Sequence, residues 1–435
     1  MKSNIKMYFQ KYKNSILLLF CCFSFFSEGH TQTNGGRSNW WYFGSWNLNF
    51  NGGIPNVVNN SNVFINSSPI TMSDKQGNLL FYADFQNIYD ATGQPMANGN
   101  ISGLTLGRGF YRLALPIPCT HHQYIIIETF PALRYTVIDM SLNNGLGDVP
   151  AGQKEVTIPG TDSLMLGISA TRHANNRDYW IMTRKIPGNR WEARLLTPAG
   201  LDSVPVVTHI GLPTNLAWLI NHGQFKFNHS GTQMAFGHNP DNCITAYHPN
   251  PNLNCGATHQ FELYDFDRST GQLSNYLPLD MDSSFYFYDV NASLNYQNVM
   301  FSVEFSPDDQ VLWGGTASNI IQYDLTSNNP QIIPGAWYNF PRYQNVWYQA
   351  GHLQLGPDDK IYFSIGATVP FLGVINNPNV FGAGANVNVQ GVPLFQQAPI
   401  SYRGLPNMVS DALITRTPQT IPHQNCEGDS FHITL

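Results

Sequence analysis

One short aromatic-rich stretch carries the residues best suited to recognition chemistry. Residues 335–351 read GAWYNFPRYQNVWYQAG, with five Trp or Tyr residues and one Arg. Aromatic rings offer large amphipathic contact surfaces, and loops carry function more often than cores do. The stretch therefore predicts a ligand-binding surface, and its candidate residues are Trp337, Tyr338, Arg342, Tyr343 and Trp347. The alternative is that these rings, like Trp40, Trp41 and Trp46, pack between structural units.

Patterns for catalysis are weak in this chain. The sequence contains no HExxH, GxSxG, phosphate-loop or EF-hand motif, and residues 167–171 lack the last glycine of a nucleophile elbow, so a strand is predicted there. A glycosidase needs two carboxylates about 5–10 Å apart, and the few candidates are Glu128, Asp139, Asp162, Glu304 and Asp324. We predict instead that aspartates at strand ends and in turns bond to the local backbone. No catalytic residue is predicted.

Histidines and cysteines suggest a disulfide more than a metal. Cys243 and Cys255 bracket a Pro-, Asn- and His-rich loop, and in an oxidising compartment a local disulfide is the simplest interpretation. Zinc is the alternative, with His248 and His259 nearby, but the spacing matches no standard zinc pattern. Cys119 and Cys426 either pair with each other or stay reduced. No metal or cofactor is expected, and the His121-His122 pair is interpreted as a solvated strand start.

The elements that must position these residues are repeated β-hairpins. Each repeat has an alternating apolar strand, a polar Ser/Pro/Asn/Asp turn and a second strand rich in Leu, Phe, Tyr or Trp. Four copies are clear, at residues 70–84, 225–238, 303–315 and 351–366. Repeats at about 40–60 residues are typical of propeller blades, because one small sheet cannot bury both of its faces.

The hairpins therefore predict an all-β fold, a β-propeller of four-stranded antiparallel sheets. Six units are visible, and residues 400–414 are expected to complete a seventh blade with the N-terminal strands, so that strands from both termini close the ring. Six or eight blades are alternatives, as is an array of β-sandwiches. We place the propeller at residues 33–420.

Composition points to export. Charged residues make up 11% of the 435-residue chain, well below the roughly 25% of ordinary soluble domains. This composition, with a net charge of −6, argues against a nucleic-acid binder, which needs a basic face. Residues 1–32 form a predicted signal peptide, since four lysines precede the apolar segment 16–26, which is too short to cross a bilayer. The remaining chain is expected in the periplasm, at the cell surface or outside the cell, with no later membrane span.

Several longer motifs resemble those of a known family. The order of SDKQGNLLFYAD, LQLGPDDKIYFS, VINNPNVFGAGANV and RGLPNM looks like the secreted propeller of Bacteroidetes surface proteins, with a layout similar to WD-repeat propellers. That family usually continues into PKD-type immunoglobulin-like domains and a sorting domain for type IX secretion. The resemblance implies that residues 421–435 begin such a domain and that the chain is truncated there. It supplies no catalytic residues.

These observations favour a non-enzymatic, exported binding or display module whose ligand is a glycan or an extracellular protein. A secreted carbohydrate-active hydrolase or lyase is one alternative, because propellers often host such sites. A structural spacer of a larger adhesin is another. The sequence does not determine the ligand or the oligomeric state.

Overall fold

The protein is described here by a computed structural model that covers residues 36–58, 65, 68–102, 111–214, 223–237, 259–280, 302–315, 319–327, 338–339, 342–343, 346–347, 350–365, 369–394 and 404–409. All of them belong to one compact unit, residues 34–435. Strands dominate the described residues, whose helices are two short 3-10 turns, Asn143–Gly145 and Gly382–Ala385. The all-β prediction is confirmed. The predicted signal peptide and the tail 421–435 lie outside the described residues.

The strands form a seven-bladed β-propeller with antiparallel blades. Blade 1 contains β1 (Trp40–Phe43), β2 (Trp46–Asn49) and β3 (Asn56–Val58). Blade 2 contains β4 (Ile70–Ser73), β5 (Leu79–Ala83), β6 (Asn87–Asp90) and β7 (Pro95–Asn100). Blade 3 contains β8 (Arg112–Pro116), β9 (Gln123–Glu128), β10 (Ala132–Asp139) and β11 (Val156–Asp162).

Blade 4 is the widest of the described sheets. It contains β12 (Ser169–Arg172), β13 (Tyr179–Lys185) and β14 (Gly188–Thr197), and β14 pairs with both β15 (Gly200–Leu201) and β16 (Val206–Thr214). Blade 5 contains β17 (Gln224–Phe227), β18 (Gln233–Gly237), β19 (His259–Asp267) and β20 (Gln272–Asp280).

Blades 6 and 7 are joined by an extra hairpin. Blade 6 contains β21 (Ser302–Phe305), β22 (Val311–Gly315), β23 (Asn319–Asp324) and β24 (Tyr338–Asn339). The hairpin, β25 (Arg342–Tyr343) with β26 (Val346–Trp347), is a separate two-stranded sheet. Blade 7 contains β27 (Ala350–Leu355), β28 (Ile361–Ile365), β29 (Phe371–Ile375) and β30 (Val387–Pro393).

The repeated hairpin turns share one backbone geometry. In four blades the fourth turn residue donates its N–H to the first residue's carbonyl and has a positive φ, namely Gly77 at 83°, Gly231 at 69°, Asp309 at 61° and Asp359 at 60°. Glycine reaches this region at no steric cost, and Asp tolerates it. The turn geometry thus explains why Gly or Asp recurs at this place in the sequence repeats.

Strands that end at an Asp with Ser or Thr two positions later are the third strands of their blades. The runs ELYDFD, IIQYDL and YTVIDM lie in β19, β23 and β10, and a fourth strand pairs with each of them. Fourth strands such as β11 have no clear polar–apolar period: in β11 a few buried positions are separated by several exposed ones. An edge strand with solvent on one face buries too little apolar surface to show a clear period.

Buried apolar clusters close the ring. Clusters lie between blades 2 and 3, 3 and 4, 4 and 5, and 5 and 6. Trp41 and Trp46 of blade 1 share a further cluster with blades 6 and 7, whereas Tyr42 of blade 1 packs with Tyr82 and Tyr89 of blade 2. Each blade therefore covers the apolar face of its neighbour, which is what stabilises a radial stack of small sheets.

Because consecutive strands are antiparallel, the propeller has two distinct faces. The lower face carries the first hairpin turns, at residues 74–78, 228–232, 306–310 and 356–360. The upper face is the opposite one, where the first strand of each blade begins and where hairpin β25–β26 leaves and rejoins the ring. On the lower face Arg268 ties blade 5 to blade 4, because its guanidinium donates to the carbonyl oxygens of Arg172 and His173.

Candidate functional site

The first strands of blades 5, 6 and 7 bring three polar side chains together at the centre of the ring. Lys226, Glu304 and Gln354 occupy equivalent positions, two residues before the turn, in β17, β21 and β27. Lys226 Nζ lies 2.8 Å from Glu304 Oε2 and 2.5 Å from Gln354 Oε1. A direct bond from blade 5 to blade 7 passes over the intervening blade, so these atoms meet near the propeller axis.

The three side chains are withdrawn from solvent. Lys226 is 1% exposed, and Glu304 and Gln354 are fully buried. Burial lowers the pKa of Lys226, although the charge of Glu304 and its hydrogen bond oppose that effect. Glu304 Oε2 also accepts the backbone N–H of Leu355 at 3.0 Å. A buried pair of this kind persists only when further hydrogen bonds satisfy it, and here they do.

Residues 404–409 pass across the axis. The side-chain nitrogen of Asn407 donates to the carbonyl oxygen of Arg112 at 3.2 Å and to that of Ile168 at 2.9 Å, on the side of blades 3 and 4. The next residue, Met408, donates its N–H to Gln354 Oε1 of blade 7 at 3.1 Å. Leu405 is fully buried. This segment was predicted as part of a strand of the seventh blade; within 404–409 it is irregular and occupies the centre of the ring.

The five carboxylates considered for glycoside hydrolysis each have their own local partners. Glu128 lies between two arginines of blade 3, and Glu304 is the partner of Lys226. Asp162 is 80% exposed beside Lys185. Asp139 and Asp324 cap strand ends, each accepting the N–H and the hydroxyl of the residue two positions on. The five belong to blades 3 and 6, and their partners do not overlap.

Turn chemistry explains the aspartates at strand ends and in hairpin turns, as predicted. Asp90 and Asp267 repeat the arrangement of Asp139 and Asp324, with hydroxyl contacts of 2.6 Å. Asp74 accepts the backbone N–H groups of Gln76 and Asn78, both at 2.8 Å. Such bonds satisfy backbone donors that a turn leaves outside the sheet.

Asp358 is an exception that gives a stability prediction. Its Oδ2 accepts the Tyr362 hydroxyl at 2.7 Å, and its Oδ1 is shielded from solvent. Burial therefore raises the pKa of Asp358, against the hydrogen bond from Tyr362. A raised carboxyl pKa stabilises the fold at low pH, and that contribution is lost as the pH rises through the folded-state pKa.

We expect Asp358→Asn to raise the free energy of unfolding at pH 7, because asparagine is neutral like the protonated carboxyl. The gain should shrink below about pH 4, where the unfolded carboxyl is also protonated. Urea unfolding at both pH values measures it, with Asp74→Asn, in an exposed turn, as the control. A variant less stable than the native protein at pH 7 would contradict this account.

Among the histidines, His229 takes part in a structural contact on the lower face. Its ring Nδ1 lies 2.7 Å from Asp309 Oδ1, and its N–H donates to the same oxygen. Burial would raise the pKa of Asp309, but the bonds from His229 hold that pKa below its usual value. His222 and His238 lie outside the described residues. Within the described part of the chain, no group of three or more His, Cys, Asp or Glu side chains is arranged to hold a metal ion.

The structure places most of the predicted recognition residues on one backbone feature. Tyr338 pairs with Ile320 at the edge of blade 6. Arg342 is directly opposite Trp347 in hairpin β25–β26, and Tyr343 is opposite Val346 in the same hairpin. Trp337 lies outside the described residues. For the N-terminal aromatics the packing alternative is correct, since Trp41 and Trp46 are buried.

The structure describes one residue from each of two further sequence predictions, Cys119 and Ser169. Cys119 forms a disulfide bond, and its partner, like the predicted pair Cys243 and Cys255, lies outside the described residues. Ser169, in the sequence that resembles a nucleophile elbow, begins strand β12 and is buried, so the strand prediction is confirmed. No helix in the described residues is long and apolar enough to cross a membrane.

Comparison with known proteins supports no family. No family model matches the chain, and no curated protein matches it. Solved structures similar to it include a Bacteroides uniformis protein titled "putative 6-phosphogluconolactonase" (11% identity, TM-score 0.47, 83% of this chain and 98% of that one). A second is the hydrazine synthase of Kuenenia stuttgartiensis (12% identity, TM-score 0.42, 78% and 95%). Likenesses at this level carry no information about activity.

Sequence reasoning missed the central cluster. Lys226 and Glu304 each place a charged residue in an otherwise largely apolar strand, at the same distance from the turn. This shared position is the sequence signal that could have indicated a common site. Gln354 lies between Leu353 and Leu355 in β27, as any polar residue of an alternating strand does. The sequence pattern does not predict that Lys226, Glu304 and Gln354 meet, because the contacts of Lys226 with the other two span 78 and 128 residues.

Proposed function

We propose that the chain is exported by its N-terminal signal and acts as a non-enzymatic binding or display module for a glycan or an extracellular protein. The observation that carries the proposal is hairpin β25–β26, which is separate from both neighbouring blade sheets. A blade needs only a short connection here, so an added hairpin rich in Trp, Tyr and Arg is better suited to contact a ligand than to build the ring.

The centre of the ring is filled, which also supports a ligand position at hairpin β25–β26 and not on the axis. The axis is occupied by the cluster of Lys226, Glu304 and Gln354 and by residues 404–409. A ligand is therefore expected on the upper face, over the connection between blades 6 and 7. The five carboxylates weighed for glycoside hydrolysis have structural partners, which favours binding over hydrolysis. The resemblance to Bacteroidetes surface proteins, including their PKD-type domains and type IX secretion, remains part of this proposal.

A binding screen tests the proposal. The full chain, processed by its host, is screened against immobilised glycans and matrix proteins, and Trp347→Ala is expected to weaken any specific binding on the order of 10- to 100-fold, as for an aromatic hot spot. Trp337→Ala should act similarly. The matched control is Phe381→Ala, which removes an exposed aromatic ring from the β29–β30 connection on the lower face.

Two results would contradict the proposal. Specific binding that is unchanged in Trp347→Ala and Trp337→Ala would reject the site. No saturable binding to any glycan or protein in the panel would favour a structural spacer instead.

A further inference from the structure

The central cluster contains the parts of an amide-exchange reaction. An amine, Lys226 Nζ, lies 2.5 Å from the amide oxygen of Gln354 and 2.8 Å from the carboxylate of Glu304. All three side chains are at most 1% exposed. Water, the competing nucleophile and proton carrier, has little access to a site this deeply buried.

The amide of Gln354 has a fixed orientation. Its oxygen faces Lys226 Nζ and the N–H of Met408, and both of these groups can only donate. Its Nε2 donates to the carbonyl oxygen of Leu355 at 3.0 Å. An inverted amide would place donor against donor, so the network itself assigns which atom is oxygen.

This arrangement holds the amine close to the amide carbon. A carbonyl bond is about 1.2 Å long, so Gln354 Cδ lies no more than about 3.7 Å from Lys226 Nζ. Reacting atoms in near-attack conformers are roughly 3–3.5 Å apart. Lys226 and Gln354 come from blades 5 and 7, and the fold fixes both backbones, so the encounter needs little further ordering.

The cluster also supplies a base and an oxyanion donor. Glu304 contacts Nζ directly and can accept a proton from the ammonium, and burial lowers the pKa of Lys226, which favours the neutral nucleophile. The N–H of Met408 points at the oxygen on which negative charge would develop during attack. That donor belongs to segment 404–409, so the site is complete only when this segment is seated.

We propose that Lys226 and Gln354 join spontaneously through an isopeptide bond, with Glu304 as general base. Glu304 takes a proton from the Lys226 ammonium, and the amine attacks Gln354 Cδ, forming the new C–N bond as the carbonyl electron pair moves to Oε1. The intermediate collapses with cleavage of the Cδ–Nε2 bond as the carbonyl re-forms. Glu304 passes two protons to the departing nitrogen, the one taken from the ammonium and a second lost by the attacking nitrogen, so that Nε2 leaves as an ammonium ion. The reaction converts an ammonium and a primary amide into a secondary amide and an ammonium ion, and no oxidant, metal or cofactor enters the balance.

The test is mass spectrometry of the folded full-length product. The reduced, denatured protein is expected to be lighter by one ammonia than its processed sequence requires. Trypsin should release residues 195–268 joined to residues 343–360, because the linkage blocks cleavage after Lys226 and no other Lys or Arg lies inside these segments. Fragment spectra locate the bond and exclude an ammonia loss elsewhere, such as at a terminal glutamine.

Variants separate the chemistry from the fold. Lys226→Arg should give unlinked segments. Glu304→Gln should slow linkage about 100-fold or more, the lower end of what loss of a general base typically costs. Circular dichroism confirms that each variant is folded. The proposal is overturned if folded native protein yields residues 195–226 and 343–360 as separate, unmodified peptides. Linkage at the native rate in folded Glu304→Gln would overturn the role given to Glu304.

Discussion

Glu128→Ala is expected to lower the free energy of unfolding by about 3–5 kcal/mol, the range measured when one partner of a buried ion pair is removed. Glu128 is 2% exposed. Its carboxylate lies 3.3 Å from Arg112 Nε and 3.1 Å from Arg134 Nε. In the variant, Arg134 would still have an ion pair with Glu155, at 3.1 Å. Arg112 is fully buried, and among its described contacts its guanidinium would keep only the carbonyl oxygen of Asp84 and no carboxylate.

The matched control is Asp162→Ala in the same blade. Asp162 also forms an ion pair, at 3.8 Å from Lys185 Nζ, but it is 80% exposed. Exposed pairs contribute about 0–1 kcal/mol, so this variant should unfold almost like the native protein. Urea unfolding of both variants measures the difference. Equal losses of stability in the two variants would show that burial does not determine how much the ion pairs of Glu128 contribute to stability.

Trp191→Ala should be destabilising to a similar degree, by about 3–5 kcal/mol, because it opens a large cavity between blades 4 and 5. Trp191 is 1% exposed. Its ring meets those of Phe225, Phe236 and Tyr264 in edge-to-face contacts, with centroids 5.1, 5.5 and 5.6 Å away. The guanidinium carbon of Arg184 lies 4.7 Å from its centroid, and that contact would be lost as well.

A conservative variant tests whether ring packing is the reason. Trp191→Phe keeps an aromatic ring at this position, and Nε1 of Trp191 has no hydrogen-bond partner in the described structure, so its cost should be clearly smaller than that of Trp191→Ala. Val204→Ala, at a side chain that is 80% exposed, should change stability by less than about 0.5 kcal/mol. A larger loss for phenylalanine than for alanine would contradict the cavity argument.

Much of the propeller could be predicted because its signals are local. A turn that needs a left-handed residue repeats Gly or Asp at one place. A strand that ends at Asp, with Ser or Thr two positions later, forms the hydrogen bonds of its own turn. These interactions join residues that are two to five positions apart. Such short-range preferences act within each blade and are visible in the sequence alone.

The remaining features depend on contacts between distant residues. Lys226 and Gln354 look like ordinary polar members of alternating strands until the ring brings them together. The sequence predicts residues 404–409 as part of a strand, yet Asn407 bonds across the axis to Ile168 and Arg112, which precede it by 239 and 295 positions. Alternation of polar and apolar residues predicts which residues share a face, but not which faces meet.

The position of residues 404–409 has a consequence for how the chain folds. Their partners lie in blades that emerge from the ribosome long before them, so the ring cannot acquire its centre until residues 404–409 have been synthesised. Contacts of such high sequence separation slow folding, because the loop-closure entropy is lost before the contact forms. We therefore expect a late, rate-limiting docking step, and an intermediate whose blades are formed but remain open to proteases until residues 404–409 arrive.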